Sequence, residues 1–300
     1  KNFQEISQCY ATGANIKIFV LVRRRKRRKN KSQFYKLLMY KKEMTLNKLQ
    51  IDKIKNLLKQ KIDEKLKNYA RETSSMPFLA KLMQDSEKVA AYSFIHSLAT
   101  TLGMSIYEQI SEIVASTNYD IVKTGYDVDG EISDDENSVI SQILQEIKNG
   151  TRKSSKDNEI SEILKCKLKI GRKIKVRADL YLKKGNDEYY IEIKTAKPNI
   201  DVFAKSKEKL LQWIALRKKK VNTILAIPYN PYHPEPYSRF TMQGYLDEEK
   251  ELYVAEKFWE LLGGKGTYKE VLDIFDEVEK EFKEKIQKKI KEVADRERGI

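Results

Sequence analysis

Cysteine and histidine are nearly absent from the 300-residue sequence, which contains two of each. Cys9 lies in a strongly basic N-terminal segment, so Cys166 is the only cysteine in the rest of the chain. This scarcity excludes a framework of disulfides and a zinc site built from cysteines, and it argues against a histidine-bound metal. Low cysteine content is typical of an intracellular protein.

Long apolar runs are missing as well. The run IFVLV at 18–22 is far too short to span a bilayer. Basic residues follow this run, whereas they precede the apolar part of a secretory signal. We therefore expect no membrane segment.

Positive charge is concentrated at the beginning of the chain. The formal net charge is +15, and residues 1–43 carry +11 of it, including the run RRRKRRK at 23–29. Such a run is found in nucleic-acid-binding arms and nuclear-import signals. Residues 1–43 show no helical or strand periodicity, so we interpret them as a basic tail that is disordered or translated from upstream of the natural start.

Helical spacing of apolar residues begins after this tail. It predicts an amphipathic helix over 46–69 and further helix over 77–115, interrupted near Gly103. The acidic stretch at 118–137 lacks the ligand spacing of an EF-hand, so we expect a loop that leads into a helix at 137–148.

Strand patterns follow residue 150. We predict a strand LKCKLKI, a turn at Gly171 and Arg172, and then the strands KVRADLYL and EYYIEIKT. A basic helix at 202–219 and a buried strand at 221–229 complete an α/β core over 137–235. Residues 44–136 and 236–300 are predicted to be helical additions to the same domain.

Two of these strands carry charged residues where a core strand would carry apolar ones. A tight loop at Gly185 and Asn186 would place Asp179 opposite Glu192. Because strand side chains alternate, Lys194 would share their face. Two facing carboxylates about 5 Å apart repel by roughly 3 kcal/mol at an effective dielectric near 20.

A divalent cation would offset this repulsion. Carboxylates on adjacent strands make a suitable magnesium site, and a neighbouring lysine could orient water or hold a phosphate. These groups together would hydrolyse phosphodiesters. The acid-x-Lys pattern occurs five times in the chain, but only the Glu192 copy follows a hairpin that presents a second acid. The competing interpretation is that these residues are exposed strand charges.

Asp179 and the Glu192-Ile193-Lys194 tripeptide, set among helix, three strands, helix and strand, resemble the PD-(D/E)xK nuclease superfamily. Ala178 stands where the motif has proline. More narrowly, the chain from Met44 resembles the TdeIII-type family of type II restriction endonucleases. The segments that carry this resemblance are IEIKTAKPN, LAIPYNPY and FWELLGGKGTYKEVL. The resemblance implies a restriction-endonuclease-like α/β core, a mixed sheet flanked by helices.

The resemblance also implies a function. It predicts a prokaryotic, cytoplasmic Mg²⁺-dependent endonuclease that cuts both strands of DNA at a short palindrome, GGNCC. Asp179 and Glu192 would hold the metal with the Ile193 carbonyl, and Lys194 would position the attacking water. It further implies a homodimer and a cognate DNA methyltransferase in the host. An extra acid is expected from an upstream helix, and its candidates are Glu146, Glu159 and Glu162.

Basic residues after the motif are expected to contact DNA phosphates. We favour Lys197, Lys205 and Arg217, within a set that also includes Lys207, Lys209 and residues 218–220. A solvated helix face in a lysine-rich protein would look similar. Two other functions remain open: a repair or recombination nuclease with the same core, and a DNA-binding protein without catalytic activity.

Overall fold

The computed structural model describes residues 6–9, 18–21, 44–69, 82–101, 105–166, 171–242 and 244–298. The chain divides into two compact units, residues 1–43 and residues 44–300. In the first unit, strands β1 (Ile6–Cys9) and β2 (Ile18–Leu21) form an antiparallel pair. The rest of the predicted basic tail, including RRRKRRK, lies outside the described residues.

The second unit is built on a mixed five-stranded sheet. In spatial order its strands are β3 (Ile121–Ser133), β4 (Gly171–Lys184), β5 (Asp187–Ile193), β6 (Asn222–Ile227) and β7 (Leu252–Val254). β4 pairs antiparallel with both β3 and β5, whereas β6 runs parallel to β5 and to β7. This arrangement confirms the predicted α/β class.

Eight α-helices are found among the described residues. They are α1 (Lys48–Asn68), α2 (Ser86–Thr101), α3 (Tyr107–Ala115), α4 (Asp134–Lys148), α5 (Lys156–Leu164), α6 (Ile200–Arg217), α7 (Glu256–Gly263) and α8 (Thr267–Arg298). α1, α4 and α6 match predicted helices to within three residues, and α2 and α3 lie within the predicted helical region at 77–115. α7 and α8 lie in the C-terminal region predicted to be helical, whereas no pattern predicted α5. In the described parts of the chain, no helix combines the length and the apolar content needed to cross a bilayer.

Helices cover both faces of the sheet. Apolar residues of α4, α5 and α6 pack on one face, together with Tyr190 and Leu225. Residues of α1, α3, α7 and α8 pack on the other face, together with Ile191 and Ile224. Consecutive strand residues therefore enter opposite cores, as strand geometry requires. The fold is a three-layer sandwich with the sheet in the middle.

The acidic stretch before α4 is a strand, so the predicted loop is wrong. β3 occupies 13 residues at the edge of the sheet. Its even-numbered positions, such as Val128 and Ile132, turn inward, while Asp127, Asp129 and Glu131 are exposed. The predicted helix cap is confirmed, because Ser133 and Glu136 form a reciprocal capping box at the start of α4.

The predicted turn at Gly171 is also wrong. Gly171 is the first residue of β4, and α5 extends to Leu164 where a strand was expected. Residues 167–170 of that predicted strand lie outside the described residues. A Cβ atom at Gly171 would lie 2.7 Å from the carbonyl group of Ile132, so the glycine allows β3 and β4 to approach closely.

Candidate active site

β4 and β5 form the predicted hairpin in the predicted register. Lys184 pairs with Asp187, and Leu180 pairs with Ile191. Gly185 has φ of 56°, the left-handed backbone that such a tight turn requires. Asp179 and Glu192 are the next residues outward on the two strands, so they face each other beyond the last ladder pair.

Lys194 joins the two carboxylates. Its Nζ atom lies 2.5 Å from Glu192 Oε1 and 3.8 Å from Asp179 Oδ2. The backbone N–H of Ile193 donates to Asp179 Oδ2 at 2.7 Å, and the Ile193 carbonyl accepts from Lys194 Nζ at 3.4 Å. The structure thus brings Asp179, Glu192, Ile193 and Lys194 together.

The cluster is partly removed from solvent. The Glu192 side chain is 4% exposed, the Asp179 side chain 19% and the Lys194 side chain 30%. Burial is the main cause that raises the pKa of Asp179, followed by the negative charge of Glu192. Lys194 opposes this shift. An added cation would therefore favour the ionised form of Asp179.

The donor atoms here suit Mg²⁺, a hard cation that prefers oxygen ligands. The carboxylates of Asp179 and Glu192 and the carbonyl of Ile193 all lie within 3.8 Å of Lys194 Nζ. Lys209 also contacts Glu192, so two ammonium groups neutralise this carboxylate. Among the described residues, no three acidic, histidine or cysteine side chains form a complete metal site. Water and a phosphate oxygen would have to complete the coordination.

Lys209 is a site residue that the sequence did not reveal as such. It lies on α6, and its Nζ atom donates to Glu192 Oε2 at 2.6 Å. Sequence reasoning placed Lys209 among the lysines that face DNA. Only the packing of α6 over β5 shows that this lysine reaches the carboxylate.

Glu108 of α3 is a second residue that sequence reasoning missed. Its pKa is raised first by burial and then by the charge of Asp179, while Arg177 and Lys194 lower it. Glu108 therefore interacts electrostatically with Asp179 and its neighbours. It lies far upstream of the motif on a separate helix, and no local spacing connects it to Asp179.

The three upstream acids considered from the sequence are engaged elsewhere. Arg152 lies 3.3 Å from Glu146 and 2.7 Å from Glu162. Glu159 is fully buried and pairs with Lys207. The negative charges of Asp179 and Glu192 contribute instead to the raised pKa of Glu108.

Two of the three favoured DNA-contacting residues lie near the cluster. Lys197 is exposed, with its Nζ atom 5.7 Å from the centre of the Tyr232 ring. Lys205 is exposed one helical turn before Lys209. Arg217 is at the other end of α6, 3.5 Å from Glu188 near the start of β5. The structure therefore does not bring Arg217 to the site.

The other basic residues of this region are held by acids. Lys218 pairs with Glu136, Lys219 with Glu188 and Lys220 with Asp157. Lys207 is fully buried, 2.5 Å from Glu159 and 2.6 Å from Glu251. The expectation that Lys207 faces DNA is therefore wrong.

A turn beside the motif is fixed to the segment after Lys194. The Tyr237 hydroxyl donates to the Ala196 carbonyl, and Arg239 and Thr241 donate to the Pro198 carbonyl, at 2.9–3.2 Å. This turn presents Phe240, which is 78% exposed. Basic and aromatic groups thus lie beside the segment that follows Lys194.

Comparisons with known proteins identify a family. The family model described as type II restriction endonuclease, HinfI, matches residues 46–279. The type II restriction enzyme MjaII of Methanocaldococcus jannaschii is 29% identical over 212 residues, 64% of this chain and 56% of that enzyme. The chain therefore spans little more than half the length of MjaII.

Two relatives from Herpetosiphon aurantiacus are covered more completely. The type II restriction enzyme HgiEI is 26% identical over 228 residues, 73% of this chain and 82% of that enzyme. HgiCII is 26% identical over 273 residues, 82% of this chain and 100% of that enzyme. No solved structure matches significantly. Because the family model covers well over half of its residues, the chain belongs to the HinfI family of type II restriction endonucleases.

Proposed function

We propose that this chain is a Mg²⁺-dependent endonuclease that hydrolyses phosphodiester bonds in both strands of double-stranded DNA at a short palindrome. The observation that carries the proposal is the contact of Lys194 with both Asp179 and Glu192 on one hairpin. Membership of a restriction-endonuclease family supports the substrate class and the reaction. The oxygen donors support the choice of metal.

Each group of the cluster has a role in this reaction. Asp179, Glu192 and the Ile193 carbonyl would hold Mg²⁺, which when bound stabilises charge developing on the scissile phosphate and acidifies a water molecule. Lys194 orients the attacking water, because its ammonium group borders both carboxylates and is open to solvent on one side.

Recognition of DNA involves residues beyond the catalytic cluster. Lys197 and Lys205 would neutralise phosphates, which makes binding fall as salt rises. A palindromic target suits a twofold homodimer in which each subunit cuts one strand. The TdeIII resemblance implies GGNCC as the target, a cognate host methyltransferase that protects it, and action in the prokaryotic cytoplasm.

The two alternative functions are less well supported. A purely surface role for the charges requires exposed carboxylates, whereas Glu192 is nearly buried beside a second acid of raised pKa. A repair or recombination nuclease could share the same core. Family membership favours the restriction enzyme over that nuclease.

Digestion of plasmid DNA tests the proposal directly. With Mg²⁺ we expect discrete fragments whose sequenced ends all lie at one short palindrome, GGNCC, because cutting depends on base recognition. EDTA should prevent cleavage, and methylation of the site should protect it. Fragment ends with no common sequence, or a preference for branched DNA, would favour the repair nuclease. Intact plasmid in every divalent metal would contradict the proposal.

A further inference from the structure

Glu192 is held by a lysine at each of its carboxylate oxygens. Lys194 lies 2.5 Å from Oε1, and Lys209 of α6 lies 2.6 Å from Oε2. The Glu192 side chain is 4% exposed, and the Lys209 side chain is 27% exposed. One lysine comes from the motif itself, whereas the other is contributed by a separate helix across the face of the sheet.

The packing of α6 determines where Lys209 can reach. Phe203, Leu210 and Leu211 are fully buried in the core on this face of the sheet. Lys207, two residues before Lys209, is fixed by contacts of 2.5–2.8 Å with Glu159 and Glu251. Lys209 is therefore presented to Glu192 by a helix that has little freedom to rotate or slide.

Two lysines do more than balance the charge of Glu192. Lys194 also lies 3.8 Å from Asp179, so the two lysines together match the charge of two carboxylates, but Lys209 contacts Oε2 of Glu192 specifically. The terminal torsion of a glutamate side chain is soft, so a single partner at Oε1 leaves the plane of the carboxylate free to turn. A second partner at Oε2 fixes that plane and keeps Oε1 directed towards Lys194 and Asp179.

We propose that Lys209 is a positioning residue for the cleavage reaction. It binds Oε2 of Glu192 and thereby leaves one oxygen, Oε1, oriented for the metal and for Lys194. This inference rests on the proposed endonuclease function. It predicts that Lys209 affects metal binding and the chemical step, but not the affinity for DNA.

The chain contains a matched control pair. Lys219, just after the C-terminal end of α6, lies 2.8 Å from Glu188, which is on β5 four residues before Glu192. Both pairs join the α6 segment to the same strand, and both glutamates are nearly buried. The Lys219 pair lies at the end of β5 away from the catalytic cluster.

The experiment compares Lys209→Met with Lys219→Met. Mn²⁺ binding to the enzyme without DNA is measured by electron paramagnetic resonance, and cleavage is measured at saturating DNA. We expect Lys209→Met to weaken Mn²⁺ binding at least several-fold and to lower kcat about tenfold or more, with an unchanged dissociation constant for DNA. Lys219→Met should leave Mn²⁺ binding and kcat unchanged. Lys209→Arg should recover part of both losses, because arginine can still donate to Oε2.

Other outcomes would overturn the inference. If Lys209 only balances charge, Lys209→Met should bind Mn²⁺ more tightly with an unchanged kcat, because a competing cation has been removed. Equal losses in both methionine variants would indicate a general effect of α6 packing, which thermal unfolding would detect. If the wild type cleaves no DNA, the proposed function fails, while the Mn²⁺ titrations still decide whether Lys209 positions Glu192.

Discussion

Replacement of Asp179 with alanine is expected to abolish DNA cleavage while DNA binding is retained. The change removes one of the two carboxylates that would hold the metal, and it leaves Lys197 and Lys205 in place. Loss of several kcal/mol of transition-state stabilisation lowers the cleavage rate by a factor of about a thousand or more. Single-turnover cleavage measures the rate, and fluorescence anisotropy with labelled DNA measures binding.

The Asp179→Asn variant removes the negative charge of the Asp179 side chain but keeps its shape. Asparagine can still accept the N–H of Ile193 at the same position, so the hairpin should remain intact. Cleavage by this variant at a rate near that of the wild type would show that the Asp179 carboxylate does not hold the catalytic metal. Loss of cleavage in both variants, with DNA binding retained, supports the proposed role.

Asp179→Asn should also make the metal-free protein more stable at neutral pH. Burial and Glu192 raise the pKa of Asp179, so its ionised form lowers the free energy of unfolding. This cost appears as the pH rises above the ordinary pKa of an aspartate, about 4, and is complete above the raised pKa. Thermal unfolding in EDTA should therefore show a higher midpoint for the variant at neutral pH and an equal midpoint in strong acid.

Replacement of Lys207 with alanine should strongly lower the free energy of unfolding. Lys207 is fully buried, and its ammonium group bonds Glu159, Glu251 and the hydroxyl of Ser154. Without it, two buried carboxylates would face each other with no cation at this position. Removal of one partner from a buried ionic cluster costs about 3–5 kcal/mol, and urea unfolding measures this loss.

Two further variants test this interpretation. Lys205→Ala removes an exposed lysine from the same helix and should change the free energy of unfolding by less than about 0.5 kcal/mol. Adding Glu251→Gln to Lys207→Ala should restore part of the loss, because one of the unpaired charges is then gone. Equal stability of Lys207→Ala and Lys205→Ala would contradict the role of Lys207.

The hairpin site could be predicted because its geometry is local. Asp179, Glu192 and Lys194 lie within 16 residues of each other, and one tight turn at Gly185 fixes which of them face each other. The same reasoning could not find Lys209 or Glu108. Their positions depend on how α6 and α3 pack over the sheet. No local sequence pattern predicts that packing.

The errors in the fold have physical causes as well. β3 carries a regular alternation, but its acidic residues on the exposed face resemble those of a polar loop. β7 lies in the segment 236–300 that was predicted to be helical, and its three residues are too few for any periodicity to appear. The burial of Lys207 depends on Glu159 and Glu251, 48 and 44 residues away, and a lysine-rich helix gives no sign of which lysine is buried.

The pairing register of the hairpin determines which side chains meet in the catalytic cluster. Asp179 and Glu192 are brought together because they follow Leu180 and Ile191, the last paired residues of the ladder that starts at the turn. A longer turn at Gly185 and Asn186 would bulge into solvent and leave this pairing intact. One extra residue within β4, between Asp179 and the turn, would instead carry Asp179 to the opposite core. This hairpin can therefore accommodate a longer turn, whereas an insertion within one strand would separate Asp179 from Glu192.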